Sequence, residues 1–188
     1  MSFSPVRLNH AVLFVADLER AATFYTNALG MEVVTRAPWA AAAFLRLPRS
    51  GNHHDLGLFE VGAAGGSRRR GTVGLYHLAW QVDTIDELAD ARQVLLDTHA
   101  YTGESSHGAT KSVYGADPDG NEFEIMWMLP REEWGDYERD APVDPLDLAG
   151  EVARWHGVAT AGVVTVGAAS VGPGPVGTAM GVGVADPT

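Results

Sequence analysis

The chain reads as an α+β fold built from two tandem βαβββ modules, followed by a C-terminal helix and a tail. Three observations predict it. Residues 8–15, Leu-Asn-His-Ala-Val-Leu-Phe-Val, recur in outline as residues 75–82, Leu-Tyr-His-Leu-Ala-Trp-Gln-Val, with His10 and His77 in equivalent places 67 residues apart. Each run leads into a helix-length segment behind an N-cap residue, Asp17 before 18–29 and Thr84 before 85–96. Each helix is then followed by three more strand-like runs.

In the first module Ala21, Phe24, Tyr25, Ala28 and Leu29 mark a buried helical stripe, and Gly30 supplies a C′ residue. Strands are expected at 32–35, 42–47 and 55–61. Residues 62–74 form a Gly- and Arg-rich connector. In the second module Thr84 and Glu87 fit a capping box, and strands are expected near Tyr101, at 111–114 and at 122–128. Asp117-Pro118-Asp119-Gly120 is a turn by its chemistry and feeds the last strand directly. Residues 1–135 are thus a paired-module domain, with modules at about 6–62 and 73–130. Residues 136–157 are an extension in which Asp144 caps a final helix with Pro145 in its first turn, and Leu146, Leu148, Val152 and Trp155 pack it back onto the body. Residues 158–188 are rich in Gly, Ala and Val, nearly uncharged and without periodicity, which predicts a mostly disordered tail; the alternative is a strand-like arm onto a partner subunit.

A length of 188 residues with 46% hydrophobic content supports one good core or two small fused ones. The formal net charge of −11 argues against a nucleic-acid partner. Arg68-Arg69-Arg70 is the only basic run and is expected in a solvated loop. With no cysteine, disulfides, thiolate nucleophiles and cysteine-bound metals are excluded, so any metal takes nitrogen and oxygen ligands. No charged start precedes an apolar stretch, and no segment reaches the roughly 18 apolar residues of a membrane span. A soluble cytoplasmic protein is the default expectation.

His10, His77 and Glu124 each lie in a short apolar run, and together they make a two-histidine, one-carboxylate set, the ligand pattern of a non-haem Fe(II) oxygenase site. A lone strand histidine is more often a packed core residue; two at equivalent places of a duplicated unit, with a carboxylate at a third, favour a metal. Strand alternation puts Glu122 and Glu124 on the same face, so parity does not choose between them.

These residues resemble the vicinal oxygen chelate superfamily, which includes glyoxalases, bleomycin resistance proteins and extradiol dioxygenases. The likeness covers residues 6 to about 135. Within it, Ser106 to Glu124, with His107, Tyr114 and the Asp-Pro-Asp-Gly turn, looks like the type I extradiol dioxygenase pattern, and Pro130-Arg131-Glu132-Glu133-Trp134 looks like the small bacterial catechol 2,3-dioxygenase branch. The resemblance implies an incomplete barrel around Fe(II), with His10, His77 and Glu124 as ligands. It further implies His54 as acid-base residue, His107 and Tyr114 as substrate contacts, a catechol-like diol and O2 as substrates, and a homodimer. One departure is a short spacer between His107 and Tyr114.

Glu60 marks the runner-up. Glyoxalase-like members place a fourth ligand near this position, and a four-ligand site would suit an isomerase or lyase using Ni(II), Zn(II) or Mn(II). A third reading is a metal-free binder of an aromatic antibiotic, as bleomycin-resistance members are; an intact ligand triad counts against it. Trp39, Trp80 and Trp127 could line either kind of pocket.

Overall fold

The computed structural model describes residues 3–66, 71 and 73–162; the triple-arginine run and residues 163–188 of the expected tail lie outside them. The first module runs β1 (Ala11–Val15), α1 (Leu18–Leu29), β2 (Glu32–Ala37), β3 (Ala42–Arg46) and β4 (Leu56–Glu60). The second runs β5 (His77–Gln81), α2 (Ile85–Asp97), β6 (Tyr101–Ser106), β7 (Thr110–Ala116) and β8 (Glu122–Met128), and α3 (Leu148–Trp155) follows. Each module forms one four-stranded sheet, in the order β1-β4-β3-β2 and β5-β8-β7-β6. In each the first and last strands are parallel and the remaining pairs antiparallel. Among the described residues there is no closed barrel.

Local chemistry explains the helices. The Asp17 side chain accepts from Arg20 N–H at 2.9 Å, and Gly30 takes the left-handed φ of 62° that ends α1. Thr84 accepts from Glu87 N–H at 3.2 Å, but the Glu87 carboxylate takes Asp83 N–H at 2.9 Å, so the expected capping box closes one residue early. The last helix differs more. Its cap is Asp147, which accepts from Gly150 N–H at 3.0 Å, while Asp144 sits in a two-way backbone bridge with Ser106 that keeps it extended. Of the four residues expected to pack the helix back, Leu148, Val152 and Trp155 meet the second core.

The first residues of the expected tail, 158–162, dock onto the second module. Thr160 is buried, its N–H donating to Asp83 C=O at 2.7 Å, and Ala161 N–H donates to Met128 C=O at 3.1 Å. These carbonyls at the ends of β5 and β8 would otherwise lack partners, which is why an apolar segment without periodicity docks there.

Each sheet buries one face under a helix. Leu13, Val15, Leu45, Leu56 and Leu58 pack with Ala21 and Tyr25 of α1; Val113, Phe123, Ile125 and Trp127 pack with Leu88 and Leu95 of α2. Phe24, Leu29 and Trp80 touch both clusters and join the modules. The strongest polar tie is the β7–β8 turn. Asp117, 5% exposed, accepts from the Tyr25 hydroxyl at 3.0 Å, from Asp119 and Asn121 N–H at 2.9 and 2.8 Å, and from the Asn121 amide at 2.9 Å. Asp119 accepts from Ala16 N–H at 3.0 Å and pairs with Arg20.

Burial, and then the Asp117 charge, push the Tyr25 phenol well above its usual 10.0. Because the folded state holds this proton more tightly, the stability is fully present below pH 10 and drains away as pH rises. Tyr25→Phe is expected to cost about 1–3 kcal/mol at neutral pH, from the denaturation midpoint, and to flatten the alkaline loss of stability above pH ~10. An unchanged midpoint would remove this bond from the account of how the modules join.

Candidate metal and diol site

The second module carries the more complete half of the site. β8 alternates Phe123, Ile125 and Trp127 into the core with Glu122, Glu124 and Met126 on the other face. On that outer face the His77 imidazole Nε2 lies 3.0 Å from Glu124 Oε2, which separates Glu124 from Glu122 where parity does not. Ser112, on the neighbouring strand, donates its hydroxyl to Glu124 Oε1 at 2.5 Å and fixes the carboxylate. Tyr114 stands directly opposite Glu124 in the β7–β8 register.

Beside this pair lies a hydrogen-bonded network. His107 Nε2 is 2.7 Å from the Tyr114 hydroxyl, so the short spacer does bring the two together, and Ser105 Oγ lies 2.8 Å from the first and 3.0 Å from the second. His107 Nδ1 is 2.9 Å from Pro142 C=O. Burial raises the Tyr114 phenol, with the Glu124 charge adding to it, so the hydroxyl keeps its proton at neutral pH. His77, Glu124, Ser105, His107 and Tyr114 line one cavity of about 800 Å³, whose apolar lining includes Ala79, Met126 and Val143.

The first module carries the other half. His10 precedes the first paired residue of β1, and its Nδ1 lies 2.9 Å from Asn9 Oδ1, an acceptor, which leaves Nε2 with a bare lone pair. His54 packs against it, with ring centres 4.5 Å apart, and against Phe44 at 5.2 Å. Desolvation first, then the neighbouring His10 and His53, hold the His54 imidazole below its usual value, so it is neutral at pH 7. His10 lines a groove of about 270 Å³ together with Leu78, Ala79 and Trp80, so β5 borders both halves.

Among the described residues no three histidine or acidic side chains converge on one point. The structure brings His77 and Glu124 together and His10 and His54 together, as two half-sites. The donor set nevertheless fits a divalent cation. Adjacent ligands about 2.1 Å from one ion stand roughly 3 Å apart, the spacing of the His77–Glu124 pair. Asn9 on His10 and Ser112 on Glu124 hold the two ligands as outer partners usually do.

Glu60 does not belong to either half. It pairs in register with Val15, on the helix-covered face, and its carboxylate accepts from Leu18 N–H at 2.9 Å, where it satisfies the start of α1. The residue one step earlier, Phe59, shares the open face with Phe14 and is not a ligand type. Trp127 is fully buried beneath the C-terminal segment, Trp39 is 90% exposed, and Trp80 lines a cavity beside His10. Sequence reasoning missed Ser105, Ser112, Asn9 and Pro142. Strand parity with Tyr114 could have found Ser112; nothing local pointed to Pro142, which arrives from 35 residues away.

Residues 7–125 match the model of the Glyoxalase/Bleomycin resistance protein/Dioxygenase superfamily. The chain is 31% identical over 127 residues to a catechol-2,3-dioxygenase of Bacillus subtilis, covering 68% of this chain but only 43% of that one. It is 36% identical over 143 residues to biphenyl-2,3-diol 1,2-dioxygenase 3 of Rhodococcus globerulus, covering 73% and 72%. A lactoylglutathione lyase of Neisseria meningitidis is 28% identical over 124 residues, 64% of this chain and 90% of that one. Among solved structures, a glyoxalase/dioxygenase of Nostoc punctiforme superposes with a TM-score of 0.57 at 21% identity over 69% of this chain and 98% of its own, a likeness of fold alone. Paired four-stranded sheets and the match across both modules agree: the chain belongs to the Glyoxalase/Bleomycin resistance protein/Dioxygenase superfamily.

Proposed function

We propose that the protein is an Fe(II)-dependent extradiol dioxygenase, cleaving a catechol-like ring beside its two hydroxyls with both atoms of O2 entering the product. The observation that carries this is the His77–Glu124 pair opening into the same cavity as the His107–Ser105–Tyr114 network. Two relatives at 31% and 36% identity bear the names of diol dioxygenases, which supports the reading.

His10, His77 and Glu124 would hold the ion. Fe(II), when bound, supplies a centre that acidifies a diol and couples its electrons to O2. The chain's own residues do the rest. Apolar Ala79, Met126 and Val143 take the ring and exclude water from its faces. The Tyr114 hydroxyl, its own proton directed to His107 Nε2, accepts from a diol hydroxyl and orients it. His107 holds that hydroxyl in place from behind. His54, kept neutral by its surroundings, accepts a diol proton and later returns one. A homodimer is part of the proposal, because Val12 and Phe14 leave an apolar strip of β1 exposed at 51% and 71%.

The lyase-like alternative draws on the Neisseria relative, but it needs a fourth carboxylate, and the position of Glu60 on the α1 N-terminus counts against it.

Loaded anaerobically with Fe(II) and then given air and a panel of catechols, the protein is expected to take up oxygen in step with a yellow ring-opened product. Iron bound without turnover of any diol would overturn the proposal. His77→Ala, Glu124→Ala and His10→Ala should each lose iron, read as metal per chain after gel filtration. Glu60→Ala should keep it while losing about 0.3–1 kcal/mol of stability; iron lost from Glu60→Ala would instead favour the four-ligand site. His54→Ala should retain iron and lower turnover by roughly 10²–10⁴-fold, and an unchanged rate would place the proton transfer elsewhere.

A further inference from the structure

The family match ends at residue 125, and the chain then folds back across the second module. After β8 it makes two short 3-10 turns, Arg131–Glu133 and Gly135–Glu138. The Tyr137 ring lies so close to Gly108 that a Cβ there would come within 2.3 Å of it, and Gly108 has a φ of 72° besides, so glycine alone lets the segment cross the β6–β7 turn. Ser106 and Asp144 then exchange both backbone hydrogen bonds at 2.9 Å. Further on, Lys111 and Glu151, both largely buried, pair at 2.8 Å and fix α3. Between these anchors Ala141 and Val143 complete one wall of the 800 Å³ cavity, and the Pro142 carbonyl meets His107 Nδ1.

A carbonyl oxygen only accepts, so His107 Nδ1 carries the ring proton and Nε2 presents its lone pair to the Tyr114 hydroxyl. The backbone of a segment outside the family match thus sets which way the hydrogen bonds of the network run. Val143, 77% exposed, stands at the mouth of the same cavity.

We infer that residues 141–144 are a positioning and specificity strap, in which the Pro142 carbonyl fixes the His107 tautomer and Val143 limits the ring substituent that the cavity admits. The part played by Val143 rests on the diol reading; the part played by Pro142 does not.

Ring ¹⁵N NMR of the full-length, metal-free protein at about pH 8, where an ordinary imidazole is neutral, tests the first. The wild type is expected to show His107 protonated at Nδ1. Asp144→Pro, which deletes the N–H that holds the strap to Ser106, is expected to show the two tautomers mixed. A wild-type ring protonated at Nε2, or an identical tautomer in a folded Asp144→Pro, would overturn the positioning role. Val143→Trp, at an exposed position, tests the second: it should weaken anaerobic binding of 3-phenylcatechol to the Fe(II)-loaded protein by about tenfold or more, and that of catechol by clearly less. Equal effects on both diols, or none, would overturn the specificity role. Failure of the wild type to bind either diol would sink the functional proposal instead, and the tautomer comparison would still decide for Pro142.

Discussion

The rest of the structure depends on a buried carboxylate. Asp117 stands where two modules meet, and an ionised group there is tolerated only because four donors surround it. Three come from its own turn and one, the Tyr25 phenol, from the helix of the other module. The turn leads straight into β8, so tying it to α1 also sets where β8 begins. The β8 register then places Glu124 opposite Ala79 on one side and Tyr114 on the other, within reach of His77. The Arg49 pairs with Glu87 and Asp83 make the corresponding tie from the first module to α2, though on the exposed surface, where such pairs contribute little.

Because each sheet has one face under a helix and one face open, strand parity divides the chain into structural and chemical residues. Glu60 and Glu124 show the consequence. Both lie on the last strand of a module, yet one falls on the helix side, where it satisfies an N–H of α1, and the other on the open side, where it meets an imidazole. Moving the Glu60 carboxylate back by one residue would take it off the α1 N-terminus and onto the open face, where Phe59 now stands.

Much of this was legible in the sequence, for identifiable reasons. The 67-residue echo, the two N-caps and Gly30 lie in local patterns, and α1 and the strand order follow from them. The candidate ligands were legible because duplication makes His10 and His77 equivalent. What local pattern does not carry was missed. Asp144 looks like a helix cap beside Pro145, but a backbone bridge to distant Ser106 holds it extended, and the cap passes to Asp147. The docking of residues 158–162 depends on free carbonyls at the ends of β5 and β8, which no periodicity reveals. Pro142 enters the site through a tertiary contact with His107, and Ser105 through a hydroxyl two residues from His107 that also meets Tyr114. Val143 likewise reaches the cavity from outside the modules.

The central claim is that the open faces of the two modules share one ion held by His77 and Glu124, with Glu60 excluded. The most direct measurement is a crystal structure of the protein grown anaerobically with Fe(II), with anomalous scattering recorded at the iron edge. The account predicts an iron peak bonded to His77, Glu124 and a His10 imidazole, with the Glu60 carboxylate still on the Leu18 N–H. An iron peak away from the His77–Glu124 pair, or one bonded to Glu60, would contradict it.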